Sequence, residues 1–186
     1  MIIKGQDQED PARNPPGPVM WNSYKLQCLM EILKTYSLEP PQHQEVFELW
    51  NTEYPVHLGF ATPSGLDQYL KSLPRLRYYL APGTGNRLLG WAMVYGEEGE
   101  NWFALTVRGD CQGQGKGTLL LDRLKEEHTS LNGWVIDHEN DLRRDGQVYH
   151  SPLAFYLKND FTVFPGSRLE LPELSAVRIQ WSRGTG

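Results

Sequence analysis

Apolar residues return at helical spacing in several stretches of the chain. Val46, Phe47 and Trp50 follow Pro40–Pro41, a pair that suits a first helical turn, and predict a helix over about 41–52. Thr62-Pro63-Ser64 opens a second helix, with Leu66, Tyr69, Leu70 and Leu73 on one stripe. Leu119, Leu120, Leu121 and Leu124 give a third, ending near His128. Ser151-Pro152 supplies an N-cap followed by proline at the first helical position, so a fourth runs to about Asn159.

Between these lie short runs of strand character. Arg77 to Ala81, Leu88 to Tyr95 and Trp102 to Val107 read as an antiparallel meander, with a hairpin turn at Gly96 to Gly99. Trp134 to Ile136 is a short buried strand reached by a strand–helix–strand crossover, and is expected to lie parallel to its predecessor. Strands near Arg168–Leu171 and Val177–Trp181 close the chain. Cys28 to Tyr36 reads as a strand or as a short helix, and periodicity leaves both open. With the strand reading, the order is β-α-α-β-β-β-α-β-α-β-β, an α/β class with one mixed sheet of six to seven strands and helices on both faces.

The 186 residues suit one domain, and 39% apolar content is enough for a sizeable core. Residues 1–22 carry Pro11, Pro15, Pro16 and Pro18 without periodicity, and are expected to form an extended or mobile leader before a domain over 23–186. A net charge of −5 gives no footprint for nonspecific nucleic-acid binding, and weakly favours a cationic partner. Cys28 and Cys111 lie far apart without metal-type spacing, so neither a disulfide framework nor a metal site is expected and a reducing compartment fits. The longest apolar runs are far shorter than the ~20 residues of a membrane helix, and no signal peptide is visible. The expectation is a cytoplasmic chain without nucleic-acid or membrane partners; a homodimer stays open.

The chemistry concentrates in Thr106-Val107-Arg108-Gly109-Asp110-Cys111-Gln112-Gly113-Gln114-Gly115-Lys116-Gly117-Thr118, between a strand and a helix. Alternating glycines let backbone amides curl inward, and the helix start adds a positive end, which together suit a phosphate or pyrophosphate. A tight turn without a ligand is the plainer alternative. A Walker A loop is excluded, because Asp110 stands where its first glycine belongs and Gly117 where its Ser/Thr belongs. A dinucleotide fingerprint is partly matched by Gly113 and Gly115, but its sixth place is Thr118 and a meander precedes the loop.

Gln112-x-x-Gly115-x-Gly117 resembles the acyl-CoA pyrophosphate motif of the GNAT superfamily of N-acetyltransferases, (Arg/Gln)-x-x-Gly-x-(Gly/Ala). The element order is similar to that family's, and Ser151 to Phe161 looks like its Asn-x-x-Ala-x-x-x-Tyr-x-x-x-Gly-Phe helix. Tyr149, Pro152 and Asp160 stand where that pattern has Asn, Ala and Gly, and Tyr149 removes an amide that often holds the cofactor chain. The resemblance covers about 28–182 in element order and about 105–161 in residues.

What the resemblance implies is direct transfer of an acetyl group from acetyl-CoA to a primary amine of a small molecule or protein, both bound at once. Backbone groups at Leu105, Thr106 and Val107 would pair with the pantetheine arm beside two splayed strands. The amides of Gln112, Gly113, Gln114, Gly115, Lys116, Gly117 and Thr118 would take the pyrophosphate. Tyr156 matches the tyrosine that hands a proton to the departing thiolate; packing in the core is its other reading. A base would come from Glu100, Asp137, His138 or Glu139, though a solvated loop is the other reading of the last three. Trp50, Tyr54, Tyr78, Tyr79 and Trp91 could line an acceptor pocket, with core packing favoured for most, and the charge run 141–145 could border it. A catalytically idle CoA-binding module and a nicotinamide dinucleotide-binding protein are the alternatives.

Overall fold

The computed structural model describes residues 31–97 and 99–184. The leader over 1–22, Cys28 and the start of the first element therefore lie outside the described residues. The described order is β1 (Leu33–Thr35), α1 (Pro40–Glu53), α2 (Pro63–Ser72), β2 (Arg77–Pro82), β3 (Leu88–Tyr95), β4 (Trp102–Val107), α3 (Lys116–Glu127), β5 (Ser130–Val135), α4 (Leu153–Lys158), β6 (Thr162–Leu171) and β7 (Leu174–Ser182). The strands form one seven-stranded sheet in the order β1-β2-β3-β4-β5-β7-β6. All neighbours are antiparallel except β4 and β5, which run parallel as the crossover required.

Local chemistry sets the boundaries. Gln42 Oε1 accepts the Glu39 N–H at 2.9 Å and starts α1 with Pro40–Pro41 in its first turn. Thr62 Oγ1 accepts the Gly65 N–H at 3.2 Å and starts α2. The helix α4 begins one residue later than expected, at Leu153 with Pro152 in the N-cap place, although Ser151 Oγ still accepts the Leu153 N–H at 3.3 Å and donates to the Ile136 carbonyl at 2.6 Å, tying α4 to the end of β5. Asp160 takes φ 63°, the left-handed turn that ends this helix where a glycine is common.

Alternation divides the sheet into two faces. Tyr78, Leu80, Trp91 and Met93 point toward Val46, Leu49, Trp50, Leu66 and Leu70 of α1 and α2, and all of these are buried. Tyr79, Ala92 and Phe103 point the other way, toward α3 and α4, where Phe103 meets Tyr156 and Phe161 edge-on at 5.7 and 5.4 Å.

Two strands are longer than the pattern suggests. β5 begins at Ser130, four residues before Trp134, because the side-chain Oδ1 of the buried Asn132 accepts from Arg178 at 2.8 Å and Gln180 at 3.1 Å. A polar Ser-Leu-Asn-Gly stretch is thus satisfied inside the sheet instead of forming a turn. β6 begins at Thr162, and a register break between Phe164 and Arg168 over Pro165-Gly166-Ser167 masks its first half.

Candidate active site

The β4–β5 ladder consists of one residue pair, Trp102 opposite Asn132. Beyond it the two parallel strands part, and the β4 edge from Phe103 to Val107 has no strand partner on that side among the described residues. A cavity of about 610 Å³ occupies the region past the parting. Leu105, Thr106 and Val107 line it, with Gln112, Gly113, Gly115, Gly117 and Thr118 of the loop and Tyr156 of α4. Gln114 and Lys116 stand outside this wall; Gln114 turns back to donate to the Asp110 carbonyl at 2.9 Å.

The loop is held open by chemistry at its base. Arg108 donates to the Leu88 carbonyl at 2.9 Å and to Glu45 at 2.7 Å, while Glu45 also accepts the Leu88 N–H at 2.8 Å. Gln112 Nε2 donates to the Val107 carbonyl at 2.9 Å, folding the loop against the end of β4. Gly113 and Gly115 take φ 71° and 78°, and a Cβ at either would meet nothing within 4 Å. Their need is therefore backbone conformation, with open space beside them. Gly117 differs, since its Cβ would lie 2.9 Å from the Phe155 ring. It permits α3 to approach α4.

Of the amides expected to take a pyrophosphate, the Gln112 N–H is already engaged, donating to the Gly109 carbonyl at 3.3 Å, whereas the N–H groups of Gly113 to Thr118 donate to no acceptor among the described residues. Six free amides at a helix start beside a cavity fit an anion with several oxygens, such as a diphosphate. Open space at Gly113 and Gly115 leaves room for it.

Tyr54, Tyr149 and Tyr156 share the cavity wall. Burial pushes the Tyr156 phenol well above its usual pKa of 10, and the neighbouring Tyr54 and Tyr149 add to the rise. Burial raises Tyr149 as well, and raises Tyr54 against the opposing hydrogen bond from the Thr106 side chain. All three are neutral donors at any working pH. This corrects the expected proton transfer: a thiol near 8.5 is a stronger acid than a phenol above 10, so full transfer to a thiolate runs uphill. Tyr156 can instead donate a hydrogen bond. Its edge contacts with Phe103, Phe155 and Phe161 show that the packing reading holds too.

None of the four expected bases reaches the cavity. Arg168 forks onto Asp137 at 2.8 and 3.0 Å and lowers its pKa. Glu139 faces His150 at 3.0 Å, and His138 lies 4.0 Å from Asp141. Glu100 precedes β4 and is exposed at the opposite end of that strand. Of the aromatic set, only Tyr54 lines the cavity, while Trp50, Tyr78, Tyr79 and Trp91 are buried in the core.

Sequence reasoning missed Glu53. Its Oε1 accepts the Gly109 N–H at 2.8 Å, and its Oε2 accepts from Gln112 and from Arg143, each at 3.3 Å. A signal did exist: Glu53 is the last residue of α1, the helix end where the macrodipole disfavours an acid. Arg143 belongs to the expected charge run, in a loop clipped to the α1 exit by Val56 N–H donating to the Leu142 carbonyl at 2.9 Å.

No protein-family model matches the chain, and no curated protein matches it. Solved structures do. An aminoglycoside 6'-N-acetyltransferase complexed with coenzyme A superimposes with a TM-score of 0.64 at 13% identity, covering 82% of this chain and 97% of that one. The aminoglycoside 6'-N-acetyltransferase of Enterococcus faecium gives 0.60 at 15% identity, with coverage of 82% and 97%. A GNAT superfamily phosphinothricin acetyltransferase from Sinorhizobium meliloti, in complex with AcCoA, gives 0.56 at 12% identity, covering 84% and 91%. The chain has the fold of these acetyltransferases. The dinucleotide alternative loses its scaffold, because β4 belongs to an antiparallel meander and not to a doubly wound sheet.

Proposed function

We propose that this chain is an acyl-CoA-dependent N-acyltransferase, moving an acetyl group from acetyl-CoA to the primary amine of a small molecule or protein by direct transfer. The observation that carries the proposal is a cleft that passes through the sheet where β4 and β5 part. Val107, Gly117 and Phe155 wall it on the α3 side, whereas Thr106 and Tyr54 belong to the α1 side. A cofactor and an acceptor can therefore meet from opposite faces without a covalent enzyme intermediate.

Residues for each part are present. The free amides of Gly113 to Thr118 would hold the pyrophosphate, joined by Lys158 at the cavity wall. The unpaired β4 edge from Leu105 to Val107 would hold the arm, and an N–H there would polarise the thioester carbonyl. When bound, acetyl-CoA supplies the activated acyl group. Tyr156 keeps its proton on the phenol oxygen and donates a hydrogen bond where thiolate charge develops. The amine gives up its proton through water, since the one carboxylate that lines the cavity among the described residues, Glu53, is already bonded to three donors. We place this activity in a single domain over residues 23–186 and in the cytoplasm.

The test is purified protein with acetyl-CoA and a panel of primary amines, following free thiol. Amine-dependent thiol release is expected. Tight CoA binding without turnover on any amine would favour the idle module.

A further inference from the structure

The loop between β5 and α4 folds into a small ribbon at the rim of the cavity. Arg143 N–H donates to the Gln147 carbonyl at 2.8 Å, and Tyr149 N–H to the Asp141 carbonyl at 2.9 Å. These bonds flank Leu142 and Val148, which face each other as a non-hydrogen-bonded pair. Leu142 turns its carbonyl outward to the Val56 N–H, which closes that side of the ribbon against the α1 exit. The N–H and carbonyl of Val148 point the other way, and neither has a partner among the described residues. Val148 lines the cavity beside Tyr149. Its side chain and that of Leu142 are 41% and 49% exposed, so an apolar surface adjoins the open edge. A free donor and a free acceptor on one extended residue are what another main chain pairs with.

The charges on the wall point to the same kind of ligand. Glu53, the one carboxylate lining the cavity among the described residues, is bonded to the Gly109 amide, Gln112 and Arg143. Arg143 and Lys158 stand on the same wall. An ammonium group entering here meets cations and no free carboxylate, so an acceptor has to arrive neutral. At pH 7 an α-amine with a pKa of about 7.7–8.0 is about 10% neutral, whereas a lysine-type amine near 10.4 is about 0.04% neutral. That gap of roughly two orders of magnitude favours the α-amine.

We propose that the acceptor is the N-terminal segment of a polypeptide, which adds in extended form to the Val148 edge and carries its α-amine into the cleft. The first peptide group of such a segment lowers the pKa of the amine, and its main chain supplies the N–H and carbonyl that Val148 lacks. The inference rests on the acyltransferase reading and narrows its substrate class to protein α-amines, over lysine side chains and polyamines. It departs from the weak preference for a cationic partner that the overall charge suggests.

The test offers the full chain, with acetyl-CoA at pH 7, tetra-alanine amide, its N-acetylated counterpart ending in lysine amide, and spermidine, following free thiol. Tetra-alanine amide should exceed each of the others in kcat/KM at least tenfold. Methylating its internal peptide nitrogens should raise its KM at least fivefold, and so should Val148→Pro with the unmethylated peptide. Proline there removes the N–H without breaking a bond of the ribbon. Equal or better kcat/KM for the lysine peptide or spermidine overturns the proposal. So does an unchanged KM for the methylated peptide, whether or not the variant folds, or for a folded Val148→Pro. If no amine turns over, calorimetry on the CoA-loaded chain separates the two readings: tetra-alanine amide bound strikes the acyltransferase reading alone, and no binding strikes this proposal as well.

Discussion

Glu53 accepts the backbone N–H of Gly109 at 2.8 Å, joining the end of α1 to the first residues of the glycine-rich loop. The same carboxylate receives Arg143 from the loop after β5. One side chain therefore fixes the glycine-rich loop and the loop after β5 relative to each other. Hydrogen bonds to a charged group contribute about 1.5–3 kcal/mol. Glu53→Gln should accordingly weaken CoA binding about tenfold or more, measured by calorimetry, with Glu53→Asp intermediate. Unchanged affinity would show that the loop holds its shape without Glu53.

Gly117 serves packing. Its Cβ would press on Phe155 at 2.9 Å. Gly117→Ala should cost about 1–3 kcal/mol, read as a lower Tm, and Phe155→Leu in the same chain should restore much of it. A Tm equal to the parent's would mean that α3 and α4 shift apart freely.

Tyr156 should act as a donor across the whole working range. Tyr156→Phe should lower kcat about a hundredfold while KM for acetyl-CoA changes little. The parent rate should rise with pH as the acceptor amine loses its proton. No falling limb should appear below about pH 10, because burial holds the phenol protonated. A descending limb near pH 9 that vanishes in Tyr156→Phe would contradict this.

Acid should destabilise the fold in two stages. His128 sits 3.2 Å from the Tyr79 hydroxyl, and burial lowers its pKa below 6.5, with Arg77 acting in the same direction. Its contribution is full above about pH 6.5 and is lost as pH falls through the folded-state value. Glu127 follows: burial opposes its ionisation, but Lys34 and Tyr79 outweigh that and lower its pKa. Asp137 is lowered by Arg168. Both contributions are present above about pH 4 and fade below it. Urea unfolding at stepped pH should show both declines, and His128→Gln should remove the first. A single decline in the parent would contradict the assignment.

Much of this fold was legible because helices and strands here announce themselves by proline, glycine and apolar spacing. Pro40, Thr62 and Ser151 mark helix starts that the structure places within two residues. The crossover after β4 fixed the parallel pair. What stayed hidden depends on contacts between distant residues. Asn132 is buried in a strand only because Arg178 and Gln180, far along the chain, satisfy its amide. The first half of β6 is masked by Pro165-Gly166, whose register break no local pattern reports. In the site, alternating glycines were visible, yet spacing alone did not separate Gly115, which needs a positive φ, from Gly117, which needs room for Phe155. The bases sought near Asp137 proved to be paired, since ion pairing is a property of the folded neighbourhood.

The most direct test of a diphosphate held by main-chain nitrogens is a crystal structure with coenzyme A bound. Its pyrophosphate oxygens should lie within about 3.2 Å of the N–H groups of Gly113 to Thr118, with the arm alongside Leu105 to Val107. Coenzyme A bound elsewhere, or those amides turned away from it, would contradict the central claim.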